Sequence, residues 1–125
     1  MVVRQGFRCI KTYYSAYYGI NIAEVASRKG LSSVIGVTQF GQSWTEDQIQ
    51  AAIQSCKSNQ KVIAIYADNE GNNIGEIMRV KNKIKSAGCT IPFGTVQTIG
   101  DFLNNPNTVR IVDQLDWLGF NVSVC

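Results

Sequence analysis

The sequence contains no histidine. This absence excludes Ser-His-Asp and Cys-His catalysis and every zinc site that uses an imidazole ligand. Only 17% of the 125 residues are charged, and no apolar run approaches the roughly 18 residues that a membrane-spanning helix requires. With 45% hydrophobic residues, the composition is that of a globular domain, and we expect no membrane span and no bound metal.

Signatures of several other function classes are also missing. Neither G-x-G-x-x-G nor the Walker A pattern occurs, so the usual nucleotide-binding loops are absent and we expect no cofactor. Residues 1–11 lack the apolar core of a signal peptide. The net charge is only +3, and the one basic cluster lies in a helical pattern. We interpret that cluster as a solvated helix face rather than a nucleic-acid patch. Its members are Arg79, Lys81, Lys83 and Lys85.

Four cysteines are present, at positions 9, 56, 89 and 125, and no pair has the C-x-x-C spacing of a redox or metal motif. Cys9 lies in a strand-like run and Cys56 on an apolar helix face, which favours small core residues. If the chain is secreted, three disulfide pairings are possible, and the sequence does not choose among them.

Five short apolar runs recur along the chain, at 7–13, 31–37, 62–66, 91–96 and 115–122. Several are almost continuously apolar, which is typical of strands buried on both faces.

Helical patterns fill the gaps between these runs. The first ends at Gly30 and the third at Gly88, since glycine commonly terminates helices. Ser43 and Glu46 have the spacing of a capping box at the start of the second. We predict a short fourth helix over 108–114, after an Asn-Asn-Pro turn. The apolar positions of the first three helices are Ile22, Val25, Ala26, Ile49, Ala52, Ile53, Cys56, Ile74, Ile77, Met78 and Ile84.

The alternation of strands and helices predicts an α/β fold, with about five parallel strands and four crossover helices in a single domain over 1–125. Two architectures fit this order: an open α/β sheet, or part of a (β/α)8 barrel. A complete barrel takes about 250 residues, so only a partial barrel could be present.

Functional residues of parallel α/β folds gather just past the carboxyl ends of the strands. The third predicted strand ends in Asp68, Asn69 and Glu70, which place two carboxylates and an amide together. A carboxylate there can serve as a general acid or base. The alternative is a polar loop that caps the next helix.

Other strand ends carry residues suited to a sugar. Aromatic side chains can stack on a pyranose ring, and amides can hydrogen-bond its hydroxyls. The alternative for Phe40 and Trp44 is that they pack a loop onto the rim. The aromatic candidates are Tyr13, Tyr14, Phe40 and Trp44, and the amides are Gln97 and Asn121.

Five segments in order resemble strands two to six of glycoside hydrolase family 17, in its fungal and oomycete β-1,3-glucanase branch. They are F-R-C-I-K-T-Y (7–13), V-I-G-V (34–37), I-Y-A-D-N-E (65–70), P-F-G-T-V-Q-T (92–98) and D-W-L-G-F-N-V (116–122). The resemblance implies a (β/α)8-barrel ancestry, a retaining mechanism on β-1,3-glucan, and an extracellular or cell-wall setting. It also implies that Glu70 is the acid/base and that Asn69 contacts the sugar. We assign substrate binding to Asn69, Asp68, Tyr13, Gln97 and Asn121.

The sequence departs from the family pattern at important positions. The family's nucleophilic glutamate follows the seventh strand, and no residue here matches it. Asp68 replaces a glycine and is a conceivable substitute nucleophile, while Ser123 and Val124 replace an aromatic-proline pair. We therefore expect glucan binding with incomplete catalysis. The alternative is a non-catalytic carbohydrate-binding or decoy protein. A homodimer or another partner would cover the open edges of a partial barrel.

Overall fold

The structure is a computed structural model that describes residues 8–58 and 60–120. The outer ends of the first and last predicted strands, at 7 and 121–122, lie outside these ranges. In chain order the elements are β1 (Cys9–Lys11), β2 (Ala16–Tyr17), β3 (Ile20–Asn21), α1 (Ile22–Arg28), β4 (Ser32–Val37), α2 (Thr45–Lys57), β5 (Val62–Asn69), α3 (Ile74–Ser86), β6 (Phe93–Val96), α4 (Ile99–Asn104), α5 (Pro106–Ile111), a 3₁₀ turn (Val112–Gln114) and β7 (Trp117–Gly119).

Five strands form one parallel sheet in the order β1-β4-β5-β6-β7, which confirms the predicted α/β class with five parallel strands. Within the described residues β1 and β7 lie at opposite edges, so no barrel is closed there. The short strands β2 and β3 form a separate antiparallel hairpin between β1 and α1.

One face of the sheet packs against the helices. Ile35 of β4 pairs in register with Ile65 of β5, and Val37 pairs with Ala67. These aliphatic side chains are buried together with apolar residues of the helices, because the predicted apolar helix faces do turn toward the sheet. The helical members of this core are Ala23, Ile49, Ala52, Ile77, Val80, Ile84 and Ile111.

The opposite face carries large rings beside glycines. In register across it stand Gly36, Tyr66, Gly94 and Trp117. A Cβ atom at Gly36 would lie 2.6 Å from Cζ of Tyr66, and one at Gly94 would lie 2.7 Å from Cε2 of Trp117. The rings therefore fill space that only glycine leaves open on the neighbouring strand. The Tyr66 hydroxyl donates to the carbonyl oxygen of Thr12 at 2.8 Å.

The predicted capping box at Ser43 and Glu46 is wrong. Helix α2 begins at Thr45, and no side chain caps its first turn. Glu46 instead accepts hydrogen bonds from Arg79 at 2.6 Å and from Lys83 at 2.7 Å, both on α3. A carboxylate in this position gains two cationic partners across a helix–helix contact, which a local cap would not provide.

The predicted short helix over 108–114 is confirmed in part, because these residues are helical but divide between the end of α5 and a 3₁₀ turn. Two short helices and a 3₁₀ turn fill the last crossover. The hydroxyl of Thr98 accepts from the Asp101 amide at 3.1 Å and starts α4. Asn105 then ends α4 and caps α5 by accepting from the Asn107 amide at 3.1 Å, with Pro106 as the first residue of α5.

The cysteines at positions 9, 56 and 89 are disulfide-bonded. Cys56, at the end of α2, forms a disulfide with Cys89, just before β6, with their Cα atoms 5.9 Å apart. Cys9 is disulfide-bonded as well. This corrects the interpretation of Cys9 and Cys56 as simple small core residues. Cys56 does pack against the core, but as half of a covalent link between two helical crossovers.

Three of the four cations in the basic cluster pair with carboxylates. Arg79 binds Glu76 at 3.0 Å as well as Glu46, and Lys85 binds Asp116 at 3.1 Å. Hydrogen bonds from Lys83 and then Arg79 hold the pKa of the Glu46 carboxyl below its ordinary value. Much of the cluster's charge is thus compensated within the chain. No helix in the described part of the chain is long and apolar enough to cross a bilayer.

Candidate functional site

The loop at the carboxyl end of β5 has an unusual backbone. Asp68, Glu70 and Asn72 all have positive φ, at 75°, 61° and 50°. Residues with a side chain rarely adopt this left-handed region, and such residues persist only where the surroundings hold them in place. Three of them at alternate positions mark residues 68–73 as a tightly constrained loop, hereafter the Glu70 loop.

Asp68 is the internal anchor of the Glu70 loop. Its side chain is buried, with 2% exposure. The carboxylate accepts from the Asn73 amide at 2.9 Å, from Nδ2 of Asn73 at 3.2 Å and from Nε2 of Gln97 at 2.9 Å. A Cβ at Gly71 would lie 2.6 Å from Oδ1 of Asp68, so a side chain at position 71 would require this carboxylate or the loop to shift.

Gln97, on the segment after β6, secures the loop from the neighbouring strand. It is fully buried, and its Oε1 accepts from the Asn72 amide at 3.1 Å. Its Nε2 also lies 3.0 Å from the hydroxyl of Thr95, which donates to the Ala67 carbonyl oxygen at 2.8 Å. Both ends of the Gln97 amide are therefore occupied by protein groups. That Asp68 and Gln97 bind substrate stays a prediction; here they shape the loop.

Glu70 and Asn69 are presented differently. The Glu70 amide donates to the Val96 carbonyl oxygen at 2.8 Å, while its side chain is exposed. Its carboxylate has no hydrogen-bond or ion-pair partner among residues 8–58 and 60–120. Oδ1 of the half-buried Asn69 is itself buried and accepts no hydrogen bond from the described residues. A buried acceptor without a donor is uncommon in folded proteins. Glu70 thus offers an exposed carboxylate for proton transfer, next in sequence to a residue whose amide oxygen is buried.

Tyr13 lies at the same end of the sheet, where the parallel strands have their carboxyl ends. It follows β1, which is separated from β5 by β4. The side chain is 52% exposed, and its backbone carbonyl accepts from the Thr38 hydroxyl at 2.8 Å. No hydrogen bond between described residues joins Tyr13 to the Glu70 loop. Asn121 lies outside the described residues. The predicted site residues that the structure brings together are Asp68, Asn69, Glu70 and Gln97.

A cation and aromatic rings lie near Tyr13. Nζ of Lys11 stands 5.8 Å from the Tyr13 ring centroid and 5.5 Å from that of Tyr66. Burial lowers the pKa of the Lys11 ammonium and raises the pKa of the Tyr66 hydroxyl, to which the charge of Tyr13 adds. Tyr66 therefore stays protonated as a hydrogen-bond donor well beyond neutral pH.

A separate cleft of about 700 Å³ lies between the β2–β3 hairpin and α2. We expected Tyr14 and Trp44 to stack on a sugar, and both line this cleft; Phe40 instead packs against the core. Tyr17 and Tyr18 also line it and were missed. The sequence signal for the hairpin is Gly19, because glycine favours the left-handed backbone of a two-residue hairpin turn. None of the residues of the Glu70 loop lines this cleft.

No group of three or more metal-ligating side chains occurs in the described part of the chain. No protein family, curated protein or solved structure matches the sequence or its fold.

Proposed function

We propose that this chain is a β-1,3-glucanase-like domain that acts on or binds cell-wall β-glucan through the Glu70 loop. The observation that carries this proposal is the exposed Glu70 carboxylate, which has no partner among the described residues and directly follows Asn69, whose Oδ1 is unsatisfied. They lie at the carboxyl end of a parallel strand, which is where enzymes built on parallel α/β sheets hold their reactive groups.

Glu70 has the role of acid/base in this proposal. As an acid it protonates the oxygen that leaves with the departing sugar, and as a base it then activates the water that attacks the anomeric carbon. A retaining mechanism also needs a nucleophilic carboxylate about 5 to 5.5 Å from the acid. Asp68, the other acidic residue of the loop, is buried and accepts three hydrogen bonds, so it is poorly placed to attack a sugar.

Hydrolysis therefore requires a carboxylate from a surface other than the Glu70 loop. The second candidate function is a non-catalytic glucan-binding or decoy domain that keeps a glucanase-like surface. The engagement of Asp68 by protein donors favours this second function, because it removes the nearest substitute nucleophile.

The architecture fits a partial (β/α)8 barrel. The parallel strands follow chain order, and the helices that supply core residues pack on one face, as on the outside of a barrel. The rings of Tyr66 and Trp117 occupy the face that would be the barrel interior, with their centroids 6.0 Å apart. The disulfide between Cys56 and Cys89 is consistent with an extracellular or cell-wall location, because disulfides persist mainly in oxidising compartments.

We propose that a second copy of the chain covers the lateral edges of the sheet, so that the protein is a homodimer. Within the described residues β1 and β7 each pair on one side only, and Leu118 and Phe120 near β7 are 41% and 45% exposed. Light scattering of the purified chain should give twice the chain mass of 13.8 kDa. A monomeric mass at micromolar concentration would remove this arrangement.

The test of function compares wild type with Glu70→Gln, which keeps the shape of the side chain and removes its charge. Reducing-sugar release from a soluble β-1,3-glucan reports hydrolysis, and calorimetric titration with the same glucan reports binding. Glu24→Gln is the matched control, because Glu24 lies on α1 in an exposed pair with Arg28.

Hydrolysis that Glu70→Gln abolishes and Glu24→Gln preserves would establish Glu70 as the acid/base. Binding without hydrolysis, weakened only by Glu70→Gln, would establish the non-catalytic function. If the wild-type chain neither binds nor hydrolyses β-1,3-glucan, the proposal fails.

A further inference from the structure

We propose that the cleft between the β2–β3 hairpin and α2 is a second carbohydrate-binding site, for a pyranose oligosaccharide, distinct from the Glu70 loop; only the choice of β-1,3-glucan as its ligand rests on the proposed function. Its volume, about 700 Å³, lies within the range of small-molecule sites. Because none of the residues of the Glu70 loop lines it, the two sites can be tested separately.

The hairpin wall of the cleft is fixed to α2. The Ser15 hydroxyl, fully buried, donates to the Gln48 carbonyl oxygen. Nδ2 of Asn21 donates to the Ala51 carbonyl oxygen at 3.3 Å, and Oδ1 of Asn21 accepts from the Ser55 hydroxyl at 3.1 Å. The cleft is thus held open by hydrogen bonds within the protein, so a ligand does not have to order this wall.

Aromatic rings are exposed along this wall. Tyr17 is 52% exposed and Tyr18 is 88% exposed, and their ring centroids lie 4.5 Å apart. Trp44, at the start of α2, is 47% exposed on the other side of the cleft. Such a concentration of exposed rings around one concavity is typical of a binding surface rather than of ordinary solvent-facing residues.

The backbone conformation at Tyr18 supports a functional role for its side chain. Tyr18 has φ 48° and Gly19 has φ 76°, so both central residues of the hairpin turn are left-handed. Turns of this type favour asparagine or glycine at the first central position. A tyrosine there carries a conformational cost while its ring remains almost fully exposed, so the ring contributes little packing in return.

The opposite wall supplies hydrogen-bonding groups. Asp47, Gln50 and Gln54 line the cleft from one side of α2, and the side-chain carboxylate of Asp47 has no hydrogen-bond or ion-pair partner among the described residues. A pyranose presents C–H groups on its faces and hydroxyls around its edge, so it can stack on tyrosine while its hydroxyls reach a carboxylate and amides. A quaternary ammonium ion would use the rings but leave the amides without partners.

The experiment titrates the full chain with linear β-1,3-linked glucose pentasaccharide, in wild type, Tyr18→Gly and Glu70→Gln. Tyr18→Gly removes the ring while placing glycine where the backbone favours it, so we expect an unchanged or higher melting temperature. Loss of one stacked ring should weaken binding at the cleft about tenfold. Tryptophan fluorescence should change on binding in wild type and Glu70→Gln, but not in Trp44→Phe.

The outcomes separate the two proposals. If Glu70→Gln binds as wild type while Tyr18→Gly and Trp44→Phe lose the cleft signals, the cleft site stands even though the Glu70 function has failed. Equal affinity of Tyr18→Gly and wild type would overturn the cleft site. Binding of choline but not of the pentasaccharide would also overturn it, because the rings would then form a cation cage.

Discussion

The two faces of the sheet are packed with different kinds of residue. The helix-covered face pairs aliphatic side chains of similar size, such as Ile35 with Ile65, and covers them with α2 and α3. The opposite face alternates glycine with a ring, so that Tyr66 lies against Gly36 and Trp117 against Gly94. On the first face the three central strands β4, β5 and β6 all contribute buried side chains, whereas on the second two rings fill the space beside two glycines.

This difference matters for how each face responds to mutation. Interiors are packed to near-crystalline density, so volume added or removed at one position must be absorbed by its neighbours. The aliphatic face shares its contacts among many residues and is cross-linked by a disulfide. The ring face depends on a close fit between each ring and the glycine on the neighbouring strand. A methyl group added at one of these glycines should therefore lower the free energy of unfolding substantially.

The largest expected effect concerns the covalent link on the helix-covered face. Cys56→Ala/Cys89→Ala removes a disulfide that spans 33 residues. Loop entropy in the unfolded chain predicts a loss of about 3 to 4 kcal/mol in the free energy of unfolding. Urea denaturation of the variant and wild type, followed by circular dichroism, measures it.

The single variants provide the control for this prediction. Cys56→Ala and Cys89→Ala each break the same bond, so each should lose about as much stability as the double variant. A loss below about 1 kcal/mol in the double variant would show that the helices hold this face together without the cross-link.

On the ring face, Gly94→Ala should destabilise the chain by about 1 to 3 kcal/mol. The new Cβ would meet the backbone oxygen of Trp117 as well as its ring, and a backbone atom within a sheet cannot move aside cheaply. Thermal and urea unfolding measure the effect. Gly75→Ala, in the first turn of α3, is the matched control.

At Gly75 a Cβ would meet nothing within 4 Å, so the same substitution should be neutral or stabilise by about 0.5 to 1 kcal/mol. Equal responses at Gly94 and Gly75 would contradict the idea that the ring face depends on missing side chains.

The helix-covered face could be predicted from the sequence. Apolar runs placed the five strands, and periodicity placed the buried sides of α2 and α3, because aliphatic burial leaves a regular pattern. The ring face could not be predicted in the same way. Its glycines and rings come from different strands, and their complementarity appears only once Gly36 and Tyr66 are in register.

The candidate sites show the same division. The sequence placed Asp68, Asn69 and Glu70 at the carboxyl end of one strand, because they come just after the apolar run at 62–66. It could not show that Asp68 turns inward to Gln97, because that depends on the left-handed backbone of the loop. Tyr14 and Trp44 were predicted to stack on a sugar at the strand ends, which stays a prediction. They line a separate cleft, part of which is formed by a hairpin that the strand pattern did not indicate.

The smallest expected effect separates the polar contribution of the ring face from its volume. Tyr66→Phe keeps the ring and removes the hydroxyl that donates to the Thr12 carbonyl oxygen, so it should cost about 1 kcal/mol at neutral pH.

The pKa of Tyr66 is raised by burial, so the unfolded chain ionises at this residue before the folded chain does. Its stabilising contribution is therefore complete below about pH 10, the ordinary tyrosine value, and is lost as the pH rises above it. Urea denaturation at pH 7 and pH 11 should show Tyr66→Phe less stable than wild type at pH 7, with the gap narrowed or reversed at pH 11. If the stability difference between Tyr66→Phe and wild type is the same at both pH values, the Tyr66 hydroxyl has the same pKa in the folded chain as in the unfolded chain. The ring face would then not shield Tyr66 from water.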